Sequence, residues 1–402
     1  MPRPALEVAQ IFRHHGSEYR KNHRLSLEQH KTMRDIERCR TARLGGHVDS
    51  CSQGCGYLAI SYNSCRNRHC PKCQSLKQAR WLTDRLERLL PTQYFHLVVT
   101  LPHELQVLAR YNPDLIYNLL FEAASRALLQ LARDYERLRA QIGFTAVLHT
   151  WDQDLNFHPH LHLVVTGGGL SLDGDRWIAA RNSFLLPVKA LSKVIRGKFL
   201  EALEKAWHEG KLQGWAPPAQ FPSFLRKLRR KKWVVYAKEA FGGSRKAFHY
   251  LSRYTHRVAI SNQRLVSLAA GKVTFQARDN HRPGQKRLVA LTAPEFIRRF
   301  LWHVLPPRFV KIRHYGLMAP RHAKTKLEKA RALLSLQAPE ALAEPQNREH
   351  DAPGDTNTWQ DLLRALTGVD LTRCPNCGQG RIIRTRLTGQ ETAPAPPLWD
   401  SS

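Results

Sequence analysis

The chain has 402 residues, 42% of them hydrophobic and 9% aromatic, and carries 63 Lys and Arg against 33 Asp and Glu, a formal charge of +30. That apolar content builds cores and excludes a disordered tail or a collagen-like fibre, and the length allows roughly two or three domains. No stretch stays apolar for the ~18 to 20 residues of a membrane span, and the start MPRPALEVAQIFRHH lacks the apolar core of a signal peptide; a cytoplasmic protein bound to a polyanion, by default nucleic acid, is expected.

In chain order, residues 5–43 read as helical, with a capping-type Ser26-x-x-Gln29 before KTMRDIERCRTARL. Six of the eight cysteines then crowd into 39–73 among Gly, Ser, Asn and Arg, which marks a small module. LKQARWLTDRLERLL reads as an amphipathic helix, Tyr94–Leu101 as a strand closed by Pro102, and Pro113–Leu138 as a long helix. Strands follow at Phe144–Thr150 and His160–Thr166, the second ended by Gly167, Gly168 and Gly169. A helix near 188–208, a strand at Trp233–Ala237, a helix near 244–257 and a strand pair at 264–279 complete an α+β pattern with a central antiparallel sheet flanked by helices. Basic clusters recur at Arg226–Lys232, Arg298–Arg299 and Arg308–Lys326. The Pro- and acid-rich stretch 336–358 reads as a linker, and GQETAPAPPLWDSS as a disordered tail.

Cys51-x3-Cys55 and Cys70-x2-Cys73 stand 14 residues apart, near the paired-knuckle spacing by which four thiolates reach one tetrahedral Zn²⁺. Reduced cytoplasmic thiols favour metal over disulfides. Cys39, Cys65, His47 and His69 remain for a second site, while Cys374-Pro-Asn-Cys377 is half a knuckle with no second pair near it in sequence. Between the ligands, Arg66, Arg68 and Lys72 would face phosphate.

His160 and His162, two apart on a strand, project from one face while Leu161, Leu163 and Val165 face the other. If the preceding strand pairs antiparallel, His149 lands beside them and completes a divalent cation site; His158 could share that face, and the long WDQDLNFHP loop leaves the register open. In SRKAFHYLSRYTHR, Tyr250 and Tyr254 stack at i and i+4 between an apolar stripe and the cations Lys246, Arg253 and Arg257. A tyrosine hydroxyl beside a metal-polarised phosphodiester can take over the phosphate and release a 3′-hydroxyl. Strands are then rejoined without ATP, and no GxxxxGK[ST] loop is present.

CRTARLGGHV…SYNSCRNRHCPKCQ, HTW…HPHLHLVVTGGG and YLSRYTHRVAISN, in that order over 39 to about 315, resemble the two-tyrosine HUH rolling-circle transposases of bacterial insertion sequences. The resemblance implies an N-terminal zinc-binding, DNA-binding domain (1–90), an HUH nuclease domain (91–330) and a linker with tail (331–402). It makes His160 and His162 the HUH ligands of Mg²⁺ or Mn²⁺, with His149 the third, and Tyr250 and Tyr254 the nucleophiles. The implied partner is single-stranded DNA at the element's ends and target. Two alternatives remain open: a plasmid replication initiator or conjugative relaxase using the same chemistry, and a zinc-dependent nucleic-acid-binding regulator without catalysis.

Overall fold

The computed structural model describes residues 4–86, 88–134, 136–180, 185–214, 218–239, 259–279, 282, 284–337, 364 and 370–387. Its strands, in chain order, are β1 (Gly46–Cys51), β2 (Leu58–Tyr62), β3 (Tyr94–Thr100), β4 (Ala140–Trp151), β5 (Phe157–Ser171), β6 (Trp177–Ala179), β7 (Val235–Glu239), β8 (Leu265–Ala269), β9 (Lys272–Arg278), β10 (Lys286–Thr292), β11 (Ile312–Gly316) and β12 (Ile382–Leu387). The chain divides into two compact units, one of Met1–Arg80, Ile260–Arg298 and Asn347–Ser402, the other of Trp81–Ala259 and Arg299–Gln346. The expected division at 90 and 330 is therefore redrawn, because 260–298 and the C-terminal stretch belong with the N-terminal module.

In the first unit the expected helical lead-in is two helices, Val8–Asn22 and Leu27–Arg38, the second starting at the expected Ser26 cap. The break comes at Ser26, whose hydroxyl accepts from the Gln29 backbone N–H while the Gln29 side chain accepts from the Ser26 N–H. Each groups donors that would otherwise dangle at a helix start. The helices pack on each other, Ile11, Phe12, Met33 and Ile36 are fully buried, and an Arg20–Glu37 ion pair at 2.6 Å joins the two helices. Two antiparallel sheets complete the unit, ordered β12-β1-β2 and β10-β9-β8. Residues 382–387, expected to lie in a loose tail, instead run along β1 from Gly46↔Leu387 to Cys51↔Ile382, fixed by a two-point Arg384–Asp49 ion pair at 2.6 and 2.8 Å.

The second unit is built on an antiparallel sheet in the order β11-β4-β5-β3-β7, with β6 on β5. Strand alternation sorts its side chains. Phe95, Leu97 and Val99 of β3, Phe144, Ala146 and Leu148 of β4, and Leu161, Leu163 and Val165 of β5 enter the main core, which the helices Pro113–Arg133 and Val188–His208 cover. On the opposite face Tyr94, Val147 and Val164 meet Leu327, Ala330 and Leu334 of the helix Lys326–Gln337. The three glycines expected to stop β5 lie within it: a Cβ on Gly168 (φ +151) would stand 2.5 Å from the Ile178 carbonyl oxygen, and one on Gly169 2.4 Å from that of Gln141. They mark the register shift between Ile142 and Phe144 of β4, where backbones approach too closely for side chains.

Candidate functional site

Alternation puts Val147 and Val164 on the sheet face away from the main core, and the same parity carries His149, His160, His162 and His96 to it. β4 and β5 are longer than expected and shorten the intervening loop to 152–156. There Asp152 Oδ1 accepts the backbone N–H groups of Asp154 and Asn156 at 2.8 Å each, closing an Asx-type turn that fixes the register. His149 consequently lies directly opposite His160, and His162 opposite Val147.

One ring nitrogen from each of His149, His160 and His162 lies within 4.8 Å of the other two. His160 Nε2 and His162 Nε2 are 3.1 Å apart, close to the ~3 Å that two nitrogens keep around one cation with bonds near 2.1 Å. His160 Nδ1–H donates to the His158 carbonyl at 2.6 Å, which leaves the Nε2 lone pair turned inward. His158 itself stays at the margin, its ring 5.2 Å from that of His160. Burial holds His160 down to about 4 and His162 well below the ordinary imidazole value, so both rings are neutral near pH 7, the form that binds metal. His149 is 3% exposed and stacks on Trp151 at 4.6 Å.

His96 on β3 was not anticipated. Its Nε2 meets His162 Nδ1 at 2.9 Å, with the rings stacked 5.2 Å apart, so it approaches His162 from the side away from His160. A single histidine inside YFHLVVTL was the available signal, since a polar ring buried in an apolar strand needs a partner.

The cysteines do not group as their spacing suggested. Cys51 and Cys55 stand with Cys374 and Cys377, while Cys70 and Cys73 stand with Cys39 and Cys65, each set having all its sulfurs within 4.8 Å. His47 and His69 join neither: His47 sits in β1 opposite Ser61 and Arg386, and the His69 backbone N–H donates to Asn67 Oδ1 at 2.9 Å. The helix Leu27–Arg38 delivers Cys39 as its last cap, next to the Cys70–Cys73 turn, which is why the remote Cys51 pair is displaced. Sulfur separations of 3.3 Å for Cys39–Cys73 and 3.7 Å for Cys65–Cys73 are far above a disulfide bond and near the tetrahedral edge of about 3.8 Å implied by Zn–S bonds of ~2.3 Å. Hydrogen bonding from the neighbouring Cys65 and Cys70 thiols draws Cys39 down to about 7, toward the thiolate that zinc takes.

Of the cations expected to meet DNA, Arg66 is exposed and Arg68 half-buried. Lys72 instead pairs with Glu7 at 2.6 Å, its side chain 16% exposed, so that charge is spent inside the protein. Tyr250, Tyr254, Lys246, Arg253 and Arg257 lie outside the described residues. Among the described residues, no helix is long and apolar enough to cross a membrane.

A family model described as "Transposase zinc-binding domain" matches residues 11–101, and one described as "Putative transposase" matches 143–326. "Putative transposase y4qJ" of Sinorhizobium fredii is 46% identical over 412 residues, covering 100% of both chains. The "Transposase for insertion sequence element IS801" of Pseudomonas savastanoi pv. phaseolicola is 27% identical over 381 residues, covering 89% of this chain and 85% of its own. Among solved structures, the conjugative relaxase TrwC with oriT DNA, metal-bound, aligns at a TM-score of 0.25 and 14% identity over 56% of this chain and 94% of that one, too loosely to carry an argument.

Proposed function

Because this chain belongs to the family of insertion-sequence transposases with an N-terminal zinc-binding domain, we propose that it cuts and rejoins single-stranded DNA at its element's ends, with His149, His160 and His162 holding a divalent cation and Tyr250 and Tyr254 supplying the attacking hydroxyls. The observation that carries the reading is the convergence of three imidazole nitrogens at the end of the central sheet. The donor set fits such a cation: the His160 and His162 rings are held neutral by burial, and the tautomer of His160 is fixed by the His158 carbonyl. Nitrogen donors suit Mn²⁺ better than Mg²⁺, which prefers oxygen. When bound, the cation supplies polarisation of a non-bridging phosphate oxygen.

The protein's own groups do the rest. A tyrosine Oη forms the new P–O bond, the bond from phosphorus to the 3′-oxygen breaks, and the strand is left as a 5′-phosphotyrosine and a free 3′-hydroxyl. A second 3′-hydroxyl reverses the exchange and frees the tyrosine, so the number of phosphoester bonds is unchanged and no ATP is needed. Cys39, Cys65, Cys70 and Cys73 hold a structural zinc that stiffens the turn presenting Arg66 to the DNA backbone.

The test is to incubate full-length protein and Mn²⁺ with 3′-labelled single-stranded oligonucleotides from the element's ends, followed by a denaturing protein gel. A labelled protein band is expected, absent with EDTA and absent in the double variant Tyr250→Phe/Tyr254→Phe, whereas DNA binding persists. A protein that binds these ends yet never acquires label is a regulator without catalysis.

A further inference from the structure

The family-model match for the zinc-binding domain ends at residue 101, yet two of the sulfurs gathered by its first knuckle come from positions 374 and 377. The Sγ separations are 3.7 Å for Cys51–Cys377 and 3.5 Å for Cys55–Cys374, again far above a disulfide and near a zinc tetrahedron's edge of about 3.8 Å. Backbone N–H groups point at the sulfurs: Gln53 at Cys51 (3.4 Å) and Gly380 at Cys377 (3.3 Å), while the Asn376 side-chain amide reaches Cys55 at 3.6 Å. Such donors stabilise thiolates, the form in which cysteine sulfurs hold a metal.

Both knuckles are shaped for closure. Gly378, at φ +67, donates its N–H to the Cys374 carbonyl at 2.9 Å, which tightens the Cys374–Cys377 turn. A Cβ on Gly380 would stand 2.3 Å from Cys51 Sγ, so the backbone passes the sulfurs at a distance that only glycine allows. Beyond the turn the chain is zipped onto β1: Ser52 N–H donates to the Arg381 carbonyl at 2.8 Å, Arg381 N–H to Ser52 Oγ at 2.9 Å, and β12 continues the pairing. Cys374 is 1% exposed and Cys51 9%, although the segment around them is mostly exposed. Two buried thiols at the end of a small exposed hairpin, aimed at two more, have no apolar core to explain them.

We propose that Cys51, Cys55, Cys374 and Cys377 form a second tetrahedral zinc site, whose ligands come from near the two ends of the chain and which makes residues 370–387 an integral part of the N-terminal zinc module. The site closes a loop from residue 55 to residue 374 and holds β12 as the third strand of the β12-β1-β2 sheet. It is independent of the tyrosine chemistry and shares with the function proposed above only the use of zinc.

Zinc is counted in purified full-length protein by mass spectrometry of the metal, and thiol accessibility is read by alkylation followed by peptide mapping. Wild type is expected to hold two zinc ions per chain and to protect Cys374 and Cys377 until a chelator is added. Cys374→Ser/Cys377→Ser and Cys51→Ser/Cys55→Ser should each retain one, and so should Cys39→Ser/Cys65→Ser, whose remaining ion must still protect Cys374. Cys374→His, which keeps a ligand, should retain two. One ion in wild type with Cys374 and Cys377 alkylated as fast as free thiols overturns the second site and leaves the first standing. A wild type without zinc overturns both, and in neither case is the covalent-adduct assay affected as a readout of the histidine centre.

Discussion

At His162 the ring has two nitrogens and a different neighbour on each. His160 Nε2, with its proton on Nδ1 and committed to the His158 carbonyl, can only accept, so in the metal-free ring His162 Nε2–H donates to it and His162 Nδ1 accepts from His96 Nε2–H. For His162 Nε2 to become a ligand, its proton must move to Nδ1, and His96 Nε2 must then accept where it had donated. Imidazole can reverse that role by exchanging tautomers. His96 is thus a positioning residue, and His96→Leu should weaken Mn²⁺ binding roughly 10- to 100-fold, measured by calorimetry or manganese electron paramagnetic resonance. His96→Gln, with both a donor and an acceptor, should keep most of the affinity. Equal loss in both variants would mean that ring packing, not hydrogen bonding, matters at this position.

Individual elements were legible where one physical rule dominates. The helix at 188–208 and the strands around 94–101 and 160–166 follow from apolar period, and the structure keeps them with shifted ends. His149 falls beside His160 and His162 as antiparallel pairing predicts, but the register that sets it directly opposite His160 was not legible, because it hangs on Asp152 closing a turn inside a stretch that looks too long for a hairpin. Cysteine spacing suits either partition of the knuckles, and the choice is made by Cys39 at a helix end and by a strand more than three hundred positions downstream, neither of which spacing can encode. Glycines were misread for a related reason: their composition suggests a stop, whereas their surroundings decide. Gly169→Ala would push a Cβ to 2.4 Å from a backbone oxygen that cannot swing aside, and should destabilise by about 1–3 kcal/mol. Gly197 is exposed inside the helix Val188–His208 with nothing within 4 Å of its would-be Cβ. Gly197→Ala should therefore stabilise by about 0.5–1 kcal/mol, since alanine loses less chain freedom on forming a helix. Urea midpoints of the two variants should move in opposite directions from wild type; a shared direction would refute the steric reading of Gly169.

For the whole molecule the surplus of +30 makes acid the hazardous direction, because protonating any of the 20 histidines adds to a repulsion already present. The second unit keeps several histidines neutral by burial, and two stand apart from the candidate centre's ligands. His303 is 3% exposed and pushed down to about 4 by loss of water; its Nε2–H donates to the Leu155 carbonyl at 3.2 Å and its Nδ1 accepts from the Thr150 hydroxyl at 3.1 Å. His314, bonded to the Thr145 hydroxyl at 2.9 Å, is likewise held down to about 4 by burial. In the unfolded chain both would titrate near the ordinary 6.5. Between about pH 6.5 and 4 the unfolded state therefore binds more protons than the fold, and stability falls as pH falls; above 6.5 the contribution is fully present. A single histidine shifted that far accounts for about 3 kcal/mol across the window, at up to ~1.4 kcal/mol per pH unit. Urea midpoints measured from pH 7.5 to 4.5 should drop for wild type and drop less steeply for His303→Gln, which keeps a polar side chain but takes no proton. Parallel curves for the two proteins would mean that His303 is protonated in the fold as readily as in the open chain, and that acid acts through the surface charge instead.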